Sequence, residues 1–181
     1  MTRRWTWLGL WALLVSAASV TAGDTLTEFK WDAGKCKVLL PGKAQETIQK
    51  GTSADGTPVE THMLQVEGGG GRHVYLVAFT PNPALANASD DVKEKALDGG
   101  RDAAVSSTKG KLVAGTDKKI KLDNTHPGRE FQVEVPILGI YRAQLYVVGD
   151  RLYQLVVAGP KDVALSDNAD KFFKSFKLTG K

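Results

Sequence analysis

The sequence predicts an α+β fold: a single antiparallel β-sheet flanked by helices, behind a cleavable signal peptide. Three observations carry that expectation. Ile140–Val148 and Arg151–Ala158 are apolar-rich runs joined by Gly149-Asp150, a two-residue connection with hairpin chemistry. Ala169, Phe172, Phe173 and Phe176 fall at i, i+3, i+4 and i+7, the spacing of one buried helix face. Between the export signal and this pair, short strand-like runs alternate with turn residues and are interrupted by one helix-like segment.

The signal reading rests on residues 1–22. Met1-Thr-Arg-Arg4 is a basic head, Trp5 to Ala18 an uncharged apolar run, and Val20-Thr21-Ala22 suits signal peptidase. The run is short for a membrane span, which needs about 20 residues. The working protein is therefore expected to be residues 23–181, a single domain, with no stable membrane span once the signal is gone. Arg3-Arg4 invites a twin-arginine reading, but Thr6 stands where a strongly apolar residue is wanted. A lipid anchor needs a cysteine directly after the cleavage point, and the one cysteine, Cys36, lies well beyond it.

A lone cysteine forms no internal disulfide, so the domain must stand on its core. Lys35-Cys36-Lys37 leaves two readings open: a small apolar residue packed inward, or a thiol activated by flanking lysines. The chain has 24 Lys+Arg against 20 Asp+Glu, and losing Arg3 and Arg4 leaves 22 against 20. Scattered lysines at that balance are no nucleic-acid footprint, which requires a clustered basic face.

In chain order, Lys35–Leu40 reads as a strand stopped by Pro41-Gly42. Glu46–Lys50 is a weaker strand, followed by a turn at Ala54-Asp55-Gly56. Val59–Val66 and His73–Thr80 form a hairpin across Gly68–Gly71, and Pro81 and Pro83 end it. Ser89-Asp90-Asp91 caps a helix. Val92, Ala96, Ala103, Ala104 and Ser107 are expected on its buried face, with Gly100 in register. Gly99-Gly100 either breaks this helix or lets it approach a sheet, and Gly110 closes it. Lys111–Ala114, Lys118–Leu122 and Arg129–Val135 are the next strands.

The two-residue turn fixes a register for the last hairpin: Val148 opposite Arg151, Tyr146 opposite Tyr153, Gln144 opposite Leu155, Arg142 opposite Val157. Ala143, Leu145, Val147, Leu152 and Val156 then make an apolar face, with Gln154 the exception. Ser166 or Asp167 caps the closing helix. Asp167 and Asp170 at its start and Lys174 and Lys177 at its end suit its dipole. Its three phenylalanines would contribute about 6–9 kcal/mol, at about 2–3 each, once packed on a sheet.

Catalytic motifs fail on spacing or placement. Ser106-Ser107-Thr108-Lys109 and Ser166-Asp167-Asn168 match two of the three serine β-lactamase signatures. That chemistry needs its serine at a helix start, whereas Ser106 falls at a helix end, and the K-T-G element is missing. Gly-Lys recurs at 34–35, 42–43, 110–111 and 180–181, never before Ser or Thr as a phosphate loop requires. His62, His73 and His126 lack zinc-ligand spacing. No cofactor is called for.

What remains is a surface. Arg142, Gln144, Tyr146 and Tyr153 share one face of the hairpin, and tyrosine and arginine are common binding anchors. A helix or loop covering that face is the competing reading.

Tyr141-Arg-Ala-Gln-Leu-Tyr-Val-Val-Gly-Asp150-Arg-Leu-Tyr-Gln-Leu-Val-Val-Ala-Gly159, with the helix ending Phe172-Phe-Lys-Ser-Phe-Lys-Leu178, resembles the PsbP-like family. Lys37-Val-Leu-Leu-Pro-Gly-Lys43 and Leu97-Asp-Gly-Gly-Arg-Asp102 extend the likeness over most of the chain. That group includes extrinsic photosystem proteins and many small exported proteins of unknown role. The resemblance implies an antiparallel sheet flanked by helices and a non-catalytic binding or assembly role, with no family site residue carried over. The expected function is an exported, periplasmic or extracellular binding or accessory domain, with a protein or small-molecule partner in the envelope. The alternative is a small exported hydrolase or thiol enzyme using Cys36, Ser106 or Ser107.

Overall fold

A computed structural model describes residues 25–52 and 57–180. The signal segment and the turn at Ala54-Asp55-Gly56 lie outside the described residues. The described residues form eleven strands and three α-helices: β1 (Thr27–Trp31), β2 (Cys36–Leu40), β3 (Gln45–Thr52), β4 (Pro58–Gly68), β5 (His73–Pro81), α1 (Asp90–Thr108), β6 (Lys111–Leu112), β7 (Lys118–Leu122), β8 (His126–Val135), β9 (Gly139–Val148), β10 (Arg151–Gly159), α2 (Lys161–Ala164), α3 (Asp167–Ser175) and β11 (Lys177–Leu178). A 3-10 turn, Pro83–Leu85, leads into α1. Among the described residues no helix is long and apolar enough to cross a membrane.

The expected single sheet is in fact two. An eight-stranded antiparallel sheet runs β3-β4-β5-β10-β9-β8-β6, with β7 also paired to β8, and β1-β2-β11 form a separate three-stranded sheet. Side chains alternate across a strand, so the large sheet has two faces, and each bears its own core. One core gathers Phe131, Val133, Ala143, Leu145, Val147, Val156 and Leu97 of α1. The other joins Tyr146, Tyr153, Leu155 and Val157 to Trp31, Val38, Leu40 and the three phenylalanines. The small sheet and α3 thus share one face, and α1 covers the other. β1 alternates Glu28 and Lys30 outward with Phe29 and Trp31 inward, and Trp31 is 2% exposed.

The hairpin register is the one its turn demands: Val148 opposite Arg151, Tyr146 opposite Tyr153, Gln144 opposite Leu155, Arg142 opposite Val157. Extending it sideways gives one row across seven strands: Ile120, Gly128, Tyr146, Tyr153, Phe79, His62, Ile48. Its rings lie against their neighbours, with Phe79 6.0 Å from Tyr153 and His62 stacked 4.7 Å from Phe79. Gly128 is the break in the row. A Cβ there would lie 2.4 Å from the Tyr146 ring and 2.6 Å from the Leu145 carbonyl oxygen, so the tyrosine lies over the bare backbone.

The α1 helix runs unbroken through Gly99-Gly100. A Cβ on Gly100 would stand 2.7 Å from Leu145, so this glycine permits close approach to the sheet. The buried face overlaps the expected one only in part. Leu97 is its one fully buried residue, with Ala96, Gly100, Ala104 and Val105 half-buried, while Val92, Ala103 and Ser107 face solvent. Lys109, not Gly110, takes the left-handed closing position, at φ 52°. Gly110 instead lets the chain pass close to β8, since a Cβ there would sit 2.4 Å from Val133.

Candidate binding cleft beside the closing helix

Arg142, Gln144 and Tyr146 stand on β9 and Tyr153 on β10, on one face as the alternation requires. That face is not an open surface. Helix α3 begins at a true cap, with the Ser166 hydroxyl accepting from the Ala169 amide at 3.2 Å. Its apolar stripe needs a partner, and the tyrosine rings supply it. Phe176 stacks on Tyr146 at 6.2 Å and 7° between planes, and lies 5.7 Å from Tyr153. Tyr146 and Tyr153 are therefore buried, not exposed anchors. Arg142 lies 4.8 Å over the Phe173 ring and is held by Asp170 of α3 at 2.6 Å and Glu130 of β8 at 3.1 Å. The sequence correctly placed the four side chains together and left open what covers them.

Tyr153 is 2% exposed and donates its hydroxyl proton to the Gly34 carbonyl at 2.9 Å, tying the large sheet to the β1–β2 turn. Tyr153→Phe leaves that carbonyl without its donor. The expected loss is about 1 kcal/mol, read from urea unfolding, with the mid-point lowered and the slope unchanged.

At the edge of the α3 cover the row opens into a shallow cleft of about 360 Å³. Its floor is Gln144 and Tyr146, its walls are Ile120 and Leu122 of β7, Phe173 of α3 and Phe176 just after it, and Lys121, Lys174, Lys177 and Asp123 stand around it. Gly128 sets the height of the Tyr146 ring, since a Cβ there would stand 2.4 Å from it and push it off the β8 backbone. The Tyr146 hydroxyl donates to the Gln144 side-chain carbonyl at 2.8 Å. Burial first, then the charges of Glu130 and Asp123, push its pKa far above the ordinary tyrosine value, so it stays a neutral donor. With its carbonyl so engaged, Gln144 can turn its amide N–H groups to a ligand. Apolar walls, one amide and three lysines against one aspartate suit an anion with an apolar body.

The other candidates lie apart. Cys36 is completely buried, and burial pushes its thiol up to about 12 against an opposing pull from Arg151. The inward-packed reading of Cys36 therefore describes it, and the flanking lysines do not activate it. Ser106 and Ser107 are exposed at the end of α1, where the Ser107 hydroxyl donates to the Ala104 carbonyl at 3.2 Å. His62 stacks on Phe79 and His73 lies opposite Gly68, so the two are not paired. Among the described residues no group of three or more His, Cys, Asp or Glu could hold a metal ion.

Sequence reasoning missed one polar cluster. Arg129 of β8, only 7% exposed, meets Asp98 and Glu94 of α1, and Asp117 at 3.2 Å. Arg101 of α1 also reaches Asp117, at 2.6 Å. Glu94, Asp98 and Arg101 are spaced i, i+4 and i+7, one helix face, which was the available signal. The cluster ties α1 to β8 and to Asp117 just before β7.

A large antiparallel sheet covered on one face by a long helix, and on the other by a small sheet and a closing helix, is a PsbP-like α+β fold. The solution structure of cyanobacterial PsbP (CyanoP) from Synechocystis sp. PCC 6803 is similar to it over 91% of this chain and 98% of that one, with a TM-score of 0.51 and 15% identity. At that identity the likeness speaks for the fold alone. No protein-family model and no curated protein matches the chain.

Proposed function

We propose that the protein is an exported, non-catalytic binding or accessory domain, and that its cleft between β7 and α3 takes an anionic partner with an apolar side chain. The observation that carries this reading is the cleft itself, where Phe173, Phe176 and Tyr146 meet Gln144 under a rim of Lys121, Lys174 and Lys177. Export rests on the pattern of residues 1–22. The thiol-enzyme alternative loses support from the burial of Cys36 and its raised pKa, since a thiolate is the reactive form.

N-acetylphenylalanine, an aromatic carboxylate, is a suitable probe, with its neutral amide as control. Titration followed by NMR should give saturable shifts at the Gln144 side-chain amide for the acid and much smaller ones for the amide. Lys121→Glu combined with Lys174→Glu should abolish them without altering the rest of the spectrum, because both lysines are exposed. Shifts that do not saturate, or that survive the double charge reversal, overturn the proposal.

A further inference from the structure

We infer that two copies of this chain pair edge to edge through β3, joining their eight-stranded sheets into one. β3 is the outermost strand of its sheet, bonded to β4 on one side only. All eight of its residues are exposed. Such an edge presents a row of unpaired backbone N–H and C=O groups, a template for another strand. Ile48, at its middle, is 57% exposed and ends the side-chain row that begins at Ile120.

The sequence of the strand selects the occupant. An antiparallel edge contact between identical strands has its two-fold axis perpendicular to the sheet, so facing residues have their side chains on the same face. The axis must then pass midway between one residue and its own copy. Centred on Ile48, it sets Ile48 against its own copy, Thr47 against Gln49, and Glu46 against Lys50 twice. Centred one residue later, it sets Ile48 against Lys50; one residue earlier, Ile48 against Glu46. One register alone therefore pairs both charges with their opposites and the apolar residue with its equal. Opposite charges facing across strands stabilise, and like charges destabilise. Lys50 is now held by Glu60 at 3.4 Å, an exposed pair with side chains 81% and 51% accessible, which is weak enough to exchange.

Analytical ultracentrifugation of the purified protein tests this. The wild type should sediment as a dimer that dissociates on dilution. Glu46→Lys and Lys50→Glu each turn both cross-strand pairs repulsive and should weaken association roughly tenfold or more. The double swap, Glu46→Lys with Lys50→Glu, restores attraction and should restore the dimer. Both positions are exposed, so circular dichroism should be unchanged in every variant. A wild type that stays monomeric at its highest soluble concentration overturns the inference, as does a dimer indifferent to either single reversal, or a double swap no better than the singles.

Discussion

Phe172→Ala should lower the unfolding free energy by about 3–5 kcal/mol. Phe172 is completely buried, edge-on to Tyr75 at 5.4 Å and to Phe173 at 5.1 Å. Its ring belongs to the core that also holds Trp31, Val38 and Leu40, so truncation opens a void between α3 and both sheets. Domains of this kind are stable by roughly 5–15 kcal/mol, so the variant should be marginal. Phe172→Leu keeps most of the volume and should cost about 1 kcal/mol. Urea unfolding at neutral pH measures both. Equal, small losses in the two variants would mean that α3 does not complete the core.

The second large effect is alkaline. The Cys36 thiol has an ordinary value of 9.0 and is pushed up to about 12 by burial. Between those values the unfolded chain surrenders the thiol proton and the folded chain keeps it. The stability is therefore fully present below pH 9 and is lost as pH rises toward about 12. At about 1.4 kcal/mol per unit, the whole window is worth up to about 4 kcal/mol. Cys36→Ala should lose about 1 kcal/mol at neutral pH from the smaller side chain, yet decline less steeply above pH 9. Parallel curves for wild type and variant across that window would show that Cys36 ionises as freely in the fold as out of it.

Local chemistry made the closing third of the chain legible. Gly149-Asp150 dictates a two-residue turn, and the turn dictates every facing pair from Arg142 to Val157. The phenylalanine spacing told which face of α3 is buried. It did not tell which face of the hairpin would receive it, because both faces are apolar enough to be covered. Leu145 and Val147 lie under the α1 layer, Tyr146 and Tyr153 under α3, and only tertiary packing decides between them. The same limit hid the second sheet. Thr27–Trp31 alternates as a strand should, but alternation cannot say that it lies across another sheet instead of extending it. On α1, the small-residue stripe gave half of the buried face: Ala96, Gly100 and Ala104 turn inward, while Leu97 and the carboxylates that meet Arg129 swing the helix away from Val92, Ala103 and Ser107. The cleft was half legible: Gln144 and Tyr146 were singled out, while Lys121, Phe173 and Phe176 came from elements whose mutual placement no spacing reveals.

The backbone amide of Leu39 donates to the Ser175 hydroxyl across 136 positions, and Lys177 pairs with Lys37. The tyrosine side of the large sheet therefore has only β1 and β2 to cover it during synthesis until α3 and the residues near 178 have emerged. Loop closure over such a span is entropically slow compared with the local hairpins. Without Phe172, Phe173 and Phe176 the core on that side is incomplete and sticky, and the fold locks shut only when the closing helix docks.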